Sequence, residues 1–218
     1  MEIKDIPVEQ ITSKDGDYLI LQDLDTGITY KITTANFLAR LSSSPTTSAS
    51  IDLTFLSSGD SQGVLYYIGS SRKTQPWSNP INKGVEITAS SVGSGAVSLL
   101  LDRQDNEFYT GNSPDSWIKI NLFASRLQCS YYSLRNRNRD DHFLRNWKLQ
   151  GSNNDIDWID LDIQNNNTSL NAPSQWLSLP VSSNAAYSIF RLLETGLNSL
   201  SYYYLCLGEI ELYGLFTP

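Results

Sequence analysis

The chain has 218 residues, of which 40% are hydrophobic and 18% charged, and its formal net charge is −7. This apolar content can build a core, which excludes a wholly disordered chain, and the negative charge disfavours a general nucleic-acid binder, which needs a basic face. The single histidine, His142, and the two distant cysteines, Cys129 and Cys206, leave little material for multi-histidine zinc sites or Cys-His catalysis.

Residues 1–41 form the first predicted segment. The runs DYLILQD and ITYKIT are rich in strand-forming residues, and an Asp-Thr-Gly turn signal at 25–27 joins them into a predicted hairpin. TTANFLARL then predicts a short helix capped by a threonine. A hairpin with one short helix buries too little surface to be stable alone. We therefore expect this segment to dock onto a partner or to oligomerise; the alternative is a decoration packed on the main domain.

The next segment, residues 42–61, is predicted to be a linker. Its first nine residues, SSSPTTSAS, contain no charge and no large side chain, and such a composition is typical of flexible or extended connections.

Residues 62–218 are predicted to be an antiparallel β-sandwich of the jelly-roll type, which makes the protein mainly β. Short runs of aromatic and β-branched residues alternate with polar ones and are separated by turns rich in Asn, Ser, Gly and Pro. No segment carries a long helical stripe. The predicted strands are GVLYYIG, GVEITASS, SWIKINLF, LQCSYYSLR, NWKLQGS, WLSLPV, YSIFRLL and YLCLGEIELYG.

Two motifs in this domain carry a family resemblance. Residues 147–158 read W-x-L-x-G-S-N-x-x-x-x-W, and residues 207–214 read L-x-x-x-E-L-Y-G. With the neighbouring strands in the same order, residues 62–214 resemble the discoidin family, also called coagulation factor V/VIII type C domains. The version found in some HECT ubiquitin ligases and BTB-domain proteins looks most similar. The resemblance implies the galactose-binding-like jelly-roll fold.

A second resemblance concerns the N-terminal segment. DGDYLILQDLDTGITYKITTANFLA is similar to a motif near the N-termini of bacteriophage tail-fibre, tailspike and other virion proteins. It implies that residues 1–41 bind other virion proteins and that the chain is localised in the virion, assembled in the host cytoplasm. A homo-oligomer, as a trimer, is the state expected of a fibre.

The discoidin resemblance implies ligand-binding loops at one end of the sandwich, here residues 90–98, 110–116 and 135–144. The third loop is the richest in side chains suited to sugar hydroxyls and anionic groups, and nearby rings could stack on a sugar. The alternative is a solvated polar loop in which Arg139 pairs with Asp140 or Asp141. The candidate ligand-binding residues are Arg135, Asn136, Arg137, Asn138, Arg139, Asp141, His142, Phe143, Tyr109 and Asn112.

The loop that follows VEITASS reads VGSGAVS and is small. It lacks the apolar side chains with which related domains enter membranes, so membrane insertion is not expected.

A structural calcium ion (Ca2+) is the one candidate cofactor. Similarity to family 32 carbohydrate-binding modules implies a site between Asp102, with Asp105 close by, and Glu209 near the C-terminal strand. Asp102 is followed by Arg103 rather than the usual glycine. The alternative is that Asp102 caps a turn and Glu209 is an exposed strand residue.

Several residues are expected to be structural. Trp147 and Trp158 lie within apolar strand patterns and are predicted to be core residues. Arg191 is expected to need an acidic or carbonyl partner inside the sandwich. The two cysteines are interpreted as buried free thiols, with a disulfide bond as the alternative.

These observations favour a non-enzymatic virion protein, such as a tail fibre, whose discoidin-like domain binds host surface glycans. The alternatives are a capsid, tail or baseplate decoration (cement) protein and a cellular discoidin-domain adaptor. Spacing places the acid pairs Asp155/Asp157 and Asp160/Asp162 on shared faces, as glycosidase carboxylates could be. Since acids are ordinary in such turns, no enzymatic role is expected.

Overall fold

The computed structural model describes residues 18–22, 29–33, 49–81 and 83–218, and the chain divides into two compact units, residues 1–48 and 49–218. In the first unit, strands β1 (Tyr18–Gln22) and β2 (Thr29–Thr33) pair antiparallel, with Tyr18 opposite Thr33. The predicted hairpin is thereby confirmed. Its turn and the helix predicted after it lie outside the described residues.

The second unit is built from three antiparallel sheets, in the orders β10-β7-β13-β3, β4-β6-β11-β8-β9 and β12-β5. Its strands are β3 (Ile51–Leu53), β4 (Glu86–Ala89), β5 (Phe108–Tyr109), β6 (Trp117–Asn121), β7 (Arg126–Arg135), β8 (Trp147–Ser152), β9 (Ile159–Gln164), β10 (Trp176–Pro180), β11 (Ile189–Glu194), β12 (Cys206–Leu207) and β13 (Glu209–Thr217). Helix α1 (Val64–Gly69) and a 3₁₀ helix at Val97–Leu101 complete it. The predicted mainly-β antiparallel sandwich is confirmed.

The core lies between the two large sheets and follows from side-chain alternation along each strand. On β6, Ile118 and Ile120 are buried while their neighbours are half-buried, and on β11 Phe190 and Leu192 face the same interior. Residues that alternate in a strand point to opposite faces of the sheet, so one face packs and the other meets solvent. Among the described residues no helix is long and apolar enough to cross a membrane.

One predicted strand is wrong, because GVLYYIG contains helix α1. The carboxylate of Glu211, on β13, accepts hydrogen bonds from the backbone N–H groups of Leu65 at 2.8 Å and Tyr66 at 3.0 Å. These N–H groups belong to the first helical turn and would otherwise lack partners. A buried carboxylate that lies far away in sequence therefore overrides the local strand preference.

The sandwich begins earlier than the boundary at residue 62. Leu53 on β3 pairs with Gly214 on β13, so this part of the predicted linker belongs to a sheet. At the outer end of the same pairing, Ser50 Oγ lies 2.8 Å from Thr217 Oγ1. The reason is the apolar run IDLTFL, which supplies a core residue, whereas residues 42–48 lie outside the described residues.

Strand β9 corrects the expectation that Asp160 and Asp162 share a face. The register between β8 and β9 shifts at Leu149/Gln150. As a result Asp160 accepts a hydrogen bond from Lys148 Nζ at 2.8 Å, while Asp162 accepts one from Tyr132 Oη at 2.6 Å inside the sandwich. A bulge inserts one residue into the alternation and so separates the two acids.

The predicted core residues divide into two kinds. Trp147 is fully buried, and its Nε1–H donates to Tyr132 Oη at 2.8 Å. Trp158 is only half-buried, and the Arg191 guanidinium stacks on it at 4.1 Å from the ring centroid. The carbonyl partner of Arg191 is Gln150 Oε1, at 2.6 and 2.9 Å.

The two cysteines are free and buried, as predicted. Burial raises the pKa of each thiol to about 12, for Cys129 and for Cys206. Both therefore remain neutral thiols at physiological pH.

Candidate functional site

A cavity of about 470 Å³ opens at one end of the sandwich, beyond the last residues of β7 and the first residues of β13. It lies within the size range of small-molecule sites. We call it the loop pocket, and its lining residues are Glu107, Tyr109, Arg137, Arg139, Asp141, His142, Tyr202, Tyr204 and Cys206. Five of the predicted ligand residues meet here: Tyr109, Arg137, Arg139, Asp141 and His142.

Two carboxylates and two guanidiniums in the loop pocket neutralise each other. Arg139 donates two hydrogen bonds to the carboxylate of Glu107, from Nε to Oε2 at 3.0 Å and from Nη2 to Oε1 at 3.3 Å. Arg137 lies between the two acids, with Nη1 3.5 Å from Glu107 Oε2 and Nη2 bonded to Asp141 Oδ1. The alternative pairing of Arg139 with Asp140 or Asp141 is replaced by Glu107, which the sequence analysis did not consider.

This network fixes the charge of two of its members. Burial alone would raise the pKa of Asp141, but hydrogen bonds from Arg137 and His142 outweigh it and hold that pKa below its usual value. Hydrogen bonding to Glu107 raises the pKa of Arg139. The pocket thus carries fixed charges, with carboxylate oxygens as acceptors and guanidinium N–H groups as donors.

Aromatic rings form the other wall of the loop pocket. Tyr202 and Tyr204 stack with centroids 5.3 Å apart, and the His142 ring lies 5.3 Å from each of them. Tyr109 meets Tyr204 edge-on at 5.6 Å, and the Arg137 guanidinium lies over Tyr109 at 5.2 Å. Tyr202 remains 42% exposed, so one ring stays accessible to a ligand.

The segments that carry these rings are tied together by polar side chains. Asn112 Oδ1 accepts a hydrogen bond from the backbone N–H of Tyr203 at 2.8 Å. Thr110 Oγ1 accepts one from the N–H of Leu205 at 3.0 Å. Asn112, predicted to bind ligand, therefore positions the tyrosine segment and does not line the pocket.

Four other predicted ligand residues lie outside the pocket lining. Arg135 pairs with Asp105 at 2.9 Å. Asn136 is buried and donates to the carbonyl of Ala172 at 2.8 Å, and Phe143 is buried as well. Asn138 is exposed on the loop. The structure gives Arg135 and Asn136 structural partners instead of a place in the site.

The residues at the predicted calcium position do not fit a cation. Glu209 is buried, and the guanidiniums of Arg103 and Arg135 lie 3.8 and 4.0 Å from its carboxylate. Asp102 Oδ1 instead caps a turn by accepting the N–H of Gln104 at 3.0 Å. Two positive groups occupy the space where calcium would need oxygens, and the described part of the chain contains no group of three acids, histidines or cysteines able to hold a metal.

Sequence reasoning missed Glu107, Tyr202 and Tyr204. Glu107 precedes a two-residue strand and has no motif of its own. The tyrosines had a signal, since three consecutive tyrosines at 202–204 stand directly before the C-terminal motif. They reach the pocket because β12 pairs with β5, with Cys206 opposite Tyr109.

The fold is a galactose-binding-like β-sandwich, the architecture also found in family 32 carbohydrate-binding modules. A Clostridium perfringens module, CpGH89CBM32-5, solved in complex with GalNAc-β-1,3-galactose, superposes with a TM-score of 0.51 at 13% identity over 60% of this chain and 96% of that one. CBM32-3 of a family 31 glycoside hydrolase from the same organism gives 0.51 at 14% identity, covering 60% and 91%. At such identities the likeness establishes the fold.

Sequence relatives point to other proteins. A BTB/POZ domain-containing protein of Arabidopsis thaliana is 30% identical over 184 residues, 76% of this chain and 22% of the relative. The ubiquitin ligase Ufd4 of Drosophila melanogaster is 30% identical over 166 residues, 71% of this chain and 6% of the relative. The chain thus spans about a fifth or less of the curated relatives it matches. No protein-family model matches it.

These plant and animal relatives lend no support to the phage attachment motif. The expected virion role and localisation stay predictions.

Proposed function

We propose that residues 49–218 form a carbohydrate-binding module whose ligand occupies the loop pocket. The observation that carries this proposal is the accessible Tyr202 ring beside the paired charges of Arg137, Glu107 and Asp141. A sugar offers an apolar C–H face and a set of hydroxyl groups, and it needs both kinds of partner in one place. The fold shared with carbohydrate-binding modules supports the same conclusion.

In this proposal the face of the sugar ring packs against the tyrosine wall, and the carboxylates of Glu107 and Asp141 accept hydrogen bonds from the sugar hydroxyl groups. The guanidiniums hold those carboxylates in place before the ligand arrives, which reduces the ordering cost of binding. Arg137 is only 7% exposed, so its position is set by packing. Affinity for one sugar is expected to be weak, and several copies would gain by avidity.

The module is proposed to bind without catalysis. Glu107 and Asp141 are both paired with guanidiniums, and the lowered pKa of Asp141 keeps it ionised. This arrangement suits acceptance of hydrogen bonds better than delivery of a proton, for which an acid of raised pKa is needed.

A glycan array with the full-length chain tests the proposal, with galactose and GalNAc-β-1,3-galactose as first probes. Tyr202→Ala is expected to weaken binding about tenfold through loss of ring stacking. Glu107→Gln is expected to weaken it further, because it removes the ion pair of Arg139 and one of the two ion pairs of Arg137. Phe123→Ala, at a ring 55% exposed in the turn after β6, is the matched control.

Two results would decide against this site. Binding that survives both pocket substitutions would place the ligand elsewhere, and no binding to any glycan, even by multivalent protein, would remove the function. Chelation with EDTA is expected to have no effect, because arginines occupy the predicted calcium position.

A second candidate is a targeting module within a larger assembly, the adaptor role considered from the sequence. The 30% identity to a BTB-domain protein and to ubiquitin ligases favours it. A partner protein whose binding resists the pocket substitutions would support this candidate. Attachment to a virion through residues 1–41, as a fibre trimer or a cement protein, would be tested by light scattering of the full chain and by its capture on particles.

A further inference from the structure

A second cavity, of about 280 Å³, lies at the end of the sandwich opposite the loop pocket. We call it the basic pocket, and its lining includes Tyr67, Ser71, Arg72, Lys83, Ser125 and Phe216. Helix α1 and the turn that follows it form one side, and the last residues of β13 with the turn after β6 form the other. The glycan proposal makes no use of this cavity.

The charged side chains that line the basic pocket are all positive. Arg72 and Lys83 belong to its lining, and no acidic side chain among the described residues does. Residues 61–85 contain three basic residues and no acid, although the whole chain has a net charge of −7. Neither Arg72 nor Lys83 forms an ion pair with another described residue. In the loop pocket, by contrast, both arginines are paired with carboxylates.

The backbone holds Arg72 in an unusual conformation. Ser71, Arg72 and Lys73 follow one another in the left-handed region, with φ of 48, 65 and 62°. The N–H group of Arg72 donates to the carbonyl of Tyr67 at 2.8 Å, and the buried Ser70 Oγ accepts the N–H of Lys73 at 3.1 Å. Three such residues in a row are strained, and strain of this kind is concentrated at functional sites.

Lys83 is also fixed in position, and it keeps a free N–H group. Its Nζ donates to the carbonyl of Gly69 at 3.0 Å and to Ser78 Oγ. Because an ammonium group has three N–H donors, one is left for a ligand. The hydroxyl groups of Ser71 and Ser125 add neutral donors to the same cavity.

These groups fit a phosphate group with two negative charges. A phosphate monoester carries a charge of about −1.5 to −2 at neutral pH and three acceptor oxygens, which matches two cationic donors with hydroxyl groups beside them. The rings of Tyr67 and Phe216 meet edge to face at 5.9 Å and supply apolar surface for carbon atoms next to the phosphate. A volume of about 280 Å³ is small for a whole ligand, so the cavity would hold the phosphate and a few attached atoms.

We propose that the basic pocket binds a phosphate dianion through Arg72 and Lys83, either as inorganic phosphate or as a monoester such as phosphoserine. Both sources present the same oxygens to the same donors. This site is independent of the loop pocket and of the proposed sugar. Since the two pockets lie at opposite ends of the sandwich, the domain would hold both ligands at once.

The test is an NMR titration of the isotope-labelled full chain with inorganic phosphate and with the peptide acetyl-Ala-phosphoserine-Ala-amide, at constant ionic strength. Chloride and the unphosphorylated peptide are the reference titrations. Arg72→Gln is expected to weaken phosphate binding about tenfold through loss of charge-assisted hydrogen bonds. The matched control is Lys73→Gln, which removes the same charge from the next residue, outside the pocket lining. It should change the affinity by about twofold or less, because salt screens a charge that makes no contact.

The outcomes decide for or against the basic pocket. Phosphate binding that is weakened in Arg72→Gln and kept in Lys73→Gln supports it. A phosphopeptide that binds at least as tightly as inorganic phosphate then assigns a monoester, and weaker binding assigns the free ion. Absence of binding by both probes overturns the proposal, as does binding that persists in Arg72→Gln, which would place phosphate at the loop-pocket arginines. Equal losses in the two variants overturn it as well, since they indicate unspecific attraction. Lys83→Gln repeats the test where Arg72→Gln fails to fold.

Discussion

Glu194 is the most unusual charged residue of the sandwich. It ends β11 and points into the core beside Trp147, its neighbour on β8, and it is fully buried. Among the described residues neither of its carboxyl oxygens has a hydrogen-bond partner. Burial, with a smaller contribution from the negative charge of Asp115, raises its pKa to about 8.

The raised pKa makes folding stability depend on pH. Since Glu194 has an ordinary pKa of 4.5, the folded protein holds its proton more tightly than the unfolded chain does. The stability that this residue contributes is fully present below pH 4.5, falls as the pH rises toward 8 and then levels off. At about 1.4 kcal/mol for each unit, Glu194 costs about 3 kcal/mol at pH 7 relative to low pH.

Urea unfolding of the full chain and of Glu194→Gln, from pH 5 to pH 9, measures this cost. Tryptophan fluorescence reports on the sandwich alone, because all 5 tryptophans lie after residue 49. The wild type should lose about 4 kcal/mol relative to the variant across this range, because three pH units separate pH 5 from the pKa of about 8. Other buried acids, such as Glu211 with a pKa of about 7, are present in both proteins and cancel in the difference.

A constant difference between the two proteins at every pH would refute the reasoning. It would mean that Glu194 is ionised when folded and has a partner beyond those described. Glu194→Leu provides a second check, because removal of the carboxyl group should stabilise the protein at pH 8 more than at pH 5.

Two further substitutions test the packing. Gly214, at φ +142, marks the bulge in β13, and a Cβ there would lie 2.1 Å from Gln128 O. Gly214→Ala should destabilise by about 3 kcal/mol or more in thermal melts, whereas Gly84→Ala, at φ +103 in open space, should show only the backbone cost of about 1 kcal/mol; equal losses would contradict the clash. Tyr132→Phe leaves the buried Trp147 Nε1–H without its acceptor and should cost about 2 kcal/mol; an unchanged melting temperature would show that water replaces the hydroxyl.

Most strands could be predicted because alternation is a local property. A few neighbouring residues are enough to show which face of a strand is buried, as with Ile118 and Ile120 on β6 and with Phe190 and Leu192 on β11. Helix α1 could not be predicted in this way, because its first turn is stabilised by Glu211, which lies 146 residues away in the sequence.

Only part of the loop pocket could be predicted, because some of its residues lie in one loop and the others come from distant segments. The discoidin resemblance located residues 135–144, but it could not separate Arg137, which enters the pocket, from Arg135, which pairs with Asp105. Glu107 and the tyrosines come from other segments and are assembled by the pairing of β5 with β12. Such contacts depend on tertiary structure, which a local pattern does not record.

The hydrogen bond between Ser50 and Thr217 has a consequence for how this domain could be used. It places the first and the last residues of the sandwich chain side by side. The loop pocket lies beyond Glu209, at the opposite end of the 9-residue strand β13. At about 3.3 Å per residue the strand separates them by nearly 30 Å. The domain is therefore suited to insertion into a longer chain: both connections would lie at one end of the sandwich, and the loop pocket at the opposite end would stay accessible to a ligand.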